Sequence, residues 1–185
     1  MPNSRLSKFI SLILRHKPEE IGISLDNNGW AKVDELIAGI NKSGRKITLK
    51  DLEEIVATDE KCRYSFNENK TLIRANQGHS IKVDVELKEC IPPNELYHGT
   101  ASRFLSSIMS NGIKPMSRLH VHLSKDISTA ISVGARHGKC VVLVIDTKKM
   151  VKDGIKFYLS FNNVWLVDHV DYRYIKEIKY NLYEV

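Results

Sequence analysis

Apolar residues Leu6, Phe9, Ile10, Ile13 and Leu14 recur at helical spacing until Lys17-Pro18 interrupts them, so the pattern predicts an amphipathic helix over residues 5 to 16. The turn signal Asp26-Asn27-Asn28-Gly29 leads into Trp30-Ala31-Lys32-Val33 and a second helical run over 34 to 41, which Ser43-Gly44 closes. Thr48 followed three residues later by Asp51 announces a third helix carrying Leu49, Leu52, Ile55 and Val56. The period then changes from helical to alternating. Residues 63 to 66, a polar loop 67 to 70 and residues 71 to 75 read as a β-hairpin. Symmetric closure of that loop sets Phe66 opposite Thr71 and Arg63 opposite Arg74, a like-charge pair that an anion would relieve. A one-residue slip removes the pairing.

Residues 81 to 94 alternate once and end in Pro92-Pro93, and are expected to form a strand opening a second half. The domain junction is placed near residue 80, giving units 1 to 80 and 81 to 185. Beyond it the pattern predicts a strand at 96 to 98, a helix at 102 to 110 ending on Asn111-Gly112, a strand at 120 to 124 and a helix at 128 to 134. Strands at 140 to 146, 155 to 159, 164 to 168 and 175 to 184 follow. Short strands outnumber helices and long crossovers are few, which favours an α+β class with a largely antiparallel sheet.

Composition narrows the setting. The chain has 185 residues, enough for one large or two small domains. Its longest apolar run is the six residues Cys140 to Ile145, against roughly 18 to 20 needed to cross a bilayer. No membrane span and no leader are expected; the start reads as a mature N-terminus. The charge of +6 comes from 28 Lys and Arg against 22 Asp and Glu, with 13 basic and 11 acidic residues up to residue 80 and 15 and 11 after it. A spread surplus of this kind suits a polyanionic partner such as nucleic acid, and suits many ordinary proteins too. Cys62, Cys90 and Cys140 are far apart and in no metal-ligand spacing, so plain thiols, a reducing cytoplasm and no metal are expected.

Several catalytic motifs are missing: the phosphate-binding G-x-x-x-x-G-K-[ST] loop, G-x-G-x-x-G, G-x-S-x-G and H-E-x-x-H. What remains is a set of Arg and His residues beside Gly or Ser: Arg15-His16, Arg63, Arg74 with Gln77-Gly78-His79-Ser80, Tyr97-His98-Gly99-Thr100, Arg118, His120-Val121-His122-Leu123-Ser124 and Arg136-His137-Gly138. Guanidinium groups grip phosphate oxygens with two parallel bonds, and imidazoles relay protons near neutral pH. Each piece also has an ordinary reading. Cations complement a helix C-terminus, ribbon arginines are solvated, and a lone histidine is usually structural.

In combination, Arg15-His16-Lys17-Pro18, Asn28-Gly29-Trp30-Ala31, Ile73-Arg74-Ala75-Asn76-Gln77-Gly78-His79-Ser80, Leu96-Tyr97-His98-Gly99-Thr100, Arg118-Leu119-His120-Val121-His122-Leu123-Ser124 and Asn163-Val164-Trp165-Leu166 resemble the RNA 2′-phosphotransferase family of the KptA type. The resemblance runs from about residue 4 to the end of the chain. It implies an N-terminal winged-helix lobe for RNA and a C-terminal ADP-ribosyltransferase-like lobe for NAD. The implied substrate is a tRNA-like RNA bearing an internal 2′-phosphate, and NAD is consumed as co-substrate. The 2′-phosphate attacks the nicotinamide ribose to give an RNA-2′-phospho-ADP-ribose intermediate; O2″ then attacks the phosphate, releasing 2′-OH RNA and ADP-ribose 1″,2″-cyclic phosphate. A phosphate monoester, at about −1.5 to −2 charge, is its own nucleophile and needs no carboxylate base.

Carried over by motif, the resemblance implies a catalytic tetrad of Arg15, His16, Arg63 and Arg118. It further implies NAD contacts from His98, Gly99, Thr100, His122, Ser124, Ser132, Gly134, Arg136, His137 and Gly138, and substrate contacts from Arg74, Gln77, His79 and Ser80. Where ADP-ribosyltransferases resemble a His, Tyr, Glu arrangement, this chain offers His98, His122 and Val164. A monomer is implied as well. Two other functions stand beside this one: an ADP-ribosyltransferase of nucleic-acid phosphates that stops at the adduct, and a non-catalytic winged-helix regulator that senses NAD.

Overall fold

In the computed structural model, which describes residues 3–180, the chain divides into two compact units, Met1–Glu86 and Leu87–Val185. Unit 1 begins with α1 (Asn3–Arg15), whose Ile10, Ile13 and Leu14 have no exposed surface. Pro18 opens a short 3-10 turn, Pro18–Ile21, and Gly22 leaves it at φ +71°. The Asp26 carboxylate accepts the Asn28 and Trp30 amides, each at 2.9 Å, fixing the turn into β1 (Trp30–Lys32). Two helices follow, α2 (Val33–Lys42) and α3 (Leu49–Ala57). The predicted capping box is present: Thr48 Oγ1 accepts the Asp51 amide while Asp51 accepts the Thr48 amide. The apolar faces of these helices enclose Leu36, Ile40, Leu52, Tyr64 and Ile73. Each such side chain, fully buried, contributes roughly 1.5–3 kcal/mol.

The hairpin strands are β2 (Tyr64–Phe66) and β3 (Leu72–Ala75), in an antiparallel sheet of order β1-β3-β2. Ser65 faces Arg74 and Phe66 faces Ile73, so neither expected pairing, Phe66 with Thr71 nor Arg63 with Arg74, forms. Asn67 causes the shift. Its amide donates to Leu72 O at 3.1 Å and its side chain accepts the Leu72 amide at 2.9 Å, carrying the pairing one residue past Phe66. The two arginines find acids instead, Arg63 with Asp59 and Arg74 with Glu86.

The strand expected over 81 to 94 is confined to β4 (Lys88–Glu89). Asp84 exchanges hydrogen bonds with Asn27 and Asn28, and Val83 and Val85 lie over Gly29, so this stretch ends unit 1 instead of opening unit 2. The division between the units accordingly falls beyond residue 80.

Unit 2 continues with β5 (Glu95–Ala101), a 3-10 turn Ser102–Phe104, α4 (Leu105–Asn111), β6 (Val121–Leu123) and α5 (Ile127–Gly134). Then come a 3-10 turn Ala135–His137, β7 (Cys140–Asp146), α6 (Thr147–Lys152), β8 (Tyr158–Leu159), β9 (Trp165–Val167) and β10 (Ile175–Lys179). Helix α6 was not legible as an apolar run. Asp146 caps it by accepting the Lys149 amide at 2.9 Å, and Met150 alone anchors its apolar side deep in the core. The strand expected over 175 to 184 is described as far as Lys179; its last positions, from 181, lie outside the described residues. All described strand pairs are antiparallel, in sheets of order β10-β7-β5 and β4-β8-β9-β6. With its helices the chain is a mixed α/β protein of the α+β kind. The two sheets meet where Tyr97 and Ser124 exchange backbone hydrogen bonds of 2.9 and 2.8 Å.

Candidate functional site

In unit 1 the residues 76–80 are drawn onto the C-terminal end of α1. The Ser80 amide donates to Arg15 O at 3.0 Å, satisfying a carbonyl the helix leaves open, and His16 Nδ1 lies 2.9 Å from Ser80 Oγ. Gly78 holds φ +87°, and a Cβ there would sit 3.6 Å from the Arg15 guanidinium carbon. The turn therefore brings Arg15, His16, Gly78, His79 and Ser80 into one cluster.

His79 does not face solvent as a substrate contact would. It is 2% exposed, its pKa is pushed down to about 4 by burial first and by Arg15, His16 and Arg74 next, and its Nε2 has no hydrogen-bond partner among the described residues. A neutral ring fits beside the guanidinium groups of Arg15 and Arg74, where an imidazolium would be repelled. Gln77 likewise leaves a buried Oε1 without a partner among the described residues.

Arg63 and Arg74 lie on one face of the ribbon, and each is held by a carboxylate. Asp59 accepts both the amide and the guanidinium of Arg63. Arg74 donates to Glu86 at 3.0 Å and stacks 4.5 Å from the ring of Trp30, its cross-strand neighbour. A guanidinium fastened in this way anchors residues 81–86 to the sheet. Asp59 and Glu86 stand outside the sequence motifs and Trp30 enters only within Asn28-Gly29-Trp30-Ala31; their contacts with Arg63 and Arg74 appear only in the structure.

In unit 2 a second Arg and His cluster forms where β5 and β6 meet. His98 Nδ1 donates to His122 O at 3.1 Å, and Arg118 donates to His122 Nδ1 at 3.0 Å. These partners fix both tautomers: His98 carries its proton on Nδ1, and His122, accepting there, carries its own on Nε2. Burial is the main cause that lowers the His98 pKa; the bond to the His122 carbonyl opposes it, and Arg118 and His137 add to it. His98, Arg118, His122 and His137 are thus neighbours. Extending the β6–β9 register sets Val164, not an acid, opposite Ser124.

Thr100 is buried, whereas Ser132, Arg136, His137 and Gly138 are exposed at the end of α5. Gly99 and Gly134 have packing reasons for their size. A Cβ on Gly99 would come within 1.7 Å of Ala130 O, and one on Gly134 within 2.9 Å of the Thr100 backbone. Close seating of α5 on β5 explains both.

The family model described as "RNA 2′-phosphotransferase, Tpt1 / KptA family" matches residues 1–169. The chain is 60% identical over 173 residues to a "Probable RNA 2′-phosphotransferase" of Fusobacterium nucleatum, covering 93% of this chain and 97% of that one. Proteins of the same name are 52% identical in Flavobacterium johnsoniae, over 92% of this chain and 94% of the relative, and 52% identical in Nostoc punctiforme, over 96% and 100%.

Proposed function

The chain belongs to the RNA 2′-phosphotransferase family, and on that footing we propose that it removes an internal 2′-phosphate from RNA by transferring it to NAD. Membership supports an enzyme that takes a 2′-phosphate from RNA. The co-substrate, intermediate and residue roles are the finer part of the proposal. So are a winged-helix character for unit 1, an ADP-ribosyltransferase-like character for unit 2, a tRNA-like substrate, a monomeric state and a cytoplasmic setting.

The observation that carries the reading is the pair of Arg and His clusters, one in each unit, with Val164 where a carboxylate base would otherwise stand. In the first step an oxygen of the 2′-phosphate bonds to the anomeric carbon of the nicotinamide ribose. The bond from that carbon to nitrogen breaks, and neutral nicotinamide leaves with the electron pair. In the second step O2″ bonds to phosphorus and the bond to the RNA O2′ breaks; the proton of O2″ ends on O2′.

Arg15, Arg63 and Arg118 would balance the charge of the phosphate as it becomes five-coordinate. His16 would carry the proton. His98, with an accepting Nε2, and His122, with a donating one, are suited to orient the nicotinamide and its ribose. Thr100, Ser124, Ser132, Arg136, His137 and Gly138 would complete the contacts, with Gln77 toward the RNA.

The test is an RNA oligonucleotide bearing one internal 2′-phosphate, incubated with and without NAD. Loss of the phosphate that requires NAD, with nicotinamide and ADP-ribose 1″,2″-cyclic phosphate released in equal amounts, is expected. Phosphate loss without NAD would remove the co-substrate from the scheme, a stable adduct would indicate an ADP-ribosyltransferase, and unchanged RNA would indicate a non-catalytic sensor.

A further inference from the structure

We infer that Ser80 is a positioning residue for His16, holding its ring through Nδ1 and directing proton exchange through Nε2, and is not a substrate contact. The inference rests on the proposed role of His16 and deepens it. Two bonds fix Ser80 at the end of α1. Its amide donates to Arg15 O at 3.0 Å, and its Oγ lies 2.9 Å from His16 Nδ1. The first bond belongs to the backbone and survives replacement of the side chain by Ala, Thr or Asp. The second is lost when the hydroxyl is removed.

The chemistry of a hydroxyl matters here. Oγ donates to Nδ1 when the ring carries its proton on Nε2, and accepts from Nδ1 when Nε2 is bare or when the ring is charged. A serine therefore follows His16 through both protonation states without favouring the cation. A carboxylate at this place would accept only, and would hold the proton on the ring. Among the described residues, the titratable and charged groups near His16 include Arg15 and Lys17 beside it in sequence and His79 next to Ser80, with Arg74 of β3 acting on His79 in turn. Neutral His79 adds no charge that would oppose an imidazolium at His16 during turnover.

Ser80→Ala, Ser80→Thr and Ser80→Asp, with His16→Ala in parallel, test this on the 2′-phosphorylated RNA and NAD. For Ser80→Ala we expect kcat to fall about tenfold, as loss of one hydrogen bond implies, with KM for RNA unchanged. Ser80→Thr should restore it. For Ser80→Asp, the acidic limb of the pH–rate profile should move to higher pH, and the His16 ring nitrogens, followed by NMR in the free protein, should titrate at higher pH as well. A rise in KM alone for Ser80→Ala, or an unmoved His16 titration in Ser80→Asp, would overturn the inference. If His16→Ala retains full activity, the reading of His16 falls first; if it loses activity while the Ser80 variants behave as the parent, only the inference about Ser80 falls.

Discussion

The Arg and His clusters of the two units contrast in how their imidazoles are held. In unit 1, His16 leans on a serine hydroxyl that works in either direction. In unit 2, His98 gives its proton to a carbonyl that only accepts, and His122 takes one from a guanidinium that only donates. Both clusters use the same residue types, yet burial disfavours a cation at His98 and a proton on His122 Nδ1 would displace the bond from Arg118, whereas the hydroxyl beside His16 can donate or accept. The difference teaches that the burial and the partner of an imidazole, more than its presence, decide between moving a proton and presenting a fixed pattern to a ligand.

The sharpest way to break the contrast is to truncate each histidine. His16→Ala should lower kcat by roughly 10² to 10⁴, while His98→Ala should raise KM for NAD about tenfold with a smaller change in kcat. Steady-state kinetics on both substrates checks this, and equal effects on kcat would erase the distinction.

Next in size are the glycines beside the clusters. Gly99→Ala sets a Cβ within 1.7 Å of Ala130 O and should destabilise unit 2 by about 3 kcal/mol or more. Gly78→Ala meets only ordinary contacts but must hold φ +87°, costing about 1–2 kcal/mol. Urea unfolding of each variant should rank them in this order.

A comparable effect comes from acid. His79 titrates near 4 in the folded chain and at its ordinary 6.5 when unfolded, so between those values the unfolded state binds the extra proton. Stability is therefore full above pH 6.5 and falls on acidification toward pH 4, by roughly 3 kcal/mol from this group. His79→Gln should flatten that slope in unfolding curves measured from pH 7 to 4, and an unchanged slope would show that His79 is not the group responsible.

The smallest effect sharpens the assignment of Arg74. Glu86→Ala and Arg74→Ala should each cost up to about 1 kcal/mol of stability, since the pair is partly exposed. Neither should change KM for RNA by more than about twofold if the guanidinium serves residues 81–86. A tenfold rise for Arg74→Ala alone would return it to the phosphate.

How far the sequence carried depended on the range of the signal. The apolar stripe of α1, the Thr48 capping box and the buried run Cys140–Ile145 of β7 are local patterns, and each appears where it was expected. The hairpin was found but its register was not, because Asn67 extends the ladder through hydrogen bonds that composition does not announce. The alternation in 81 to 94 looked like a strand. It became a strap on unit 1 because Asn27, Asn28 and Gly29, more than fifty residues earlier, offer it a better backing. Of the candidate site, the motifs identified residues and the structure sorted them: Arg15 and His16 with Ser80, Arg118 with His122 and His98, His79 into the interior.

The amino-acid order alone determined every described α-helix but α6, most strands, the α+β class and the set of Arg and His residues, since periodicity, caps and residue chemistry act over a few positions. Tertiary structure decided which nitrogen His98 and His122 offer and which carboxylates Arg63 and Arg74 meet. Those outcomes turn on the directions in which loops and strands aim particular side chains, as where β5 and β6 bring His98 to the His122 carbonyl, and a local residue pattern does not announce them.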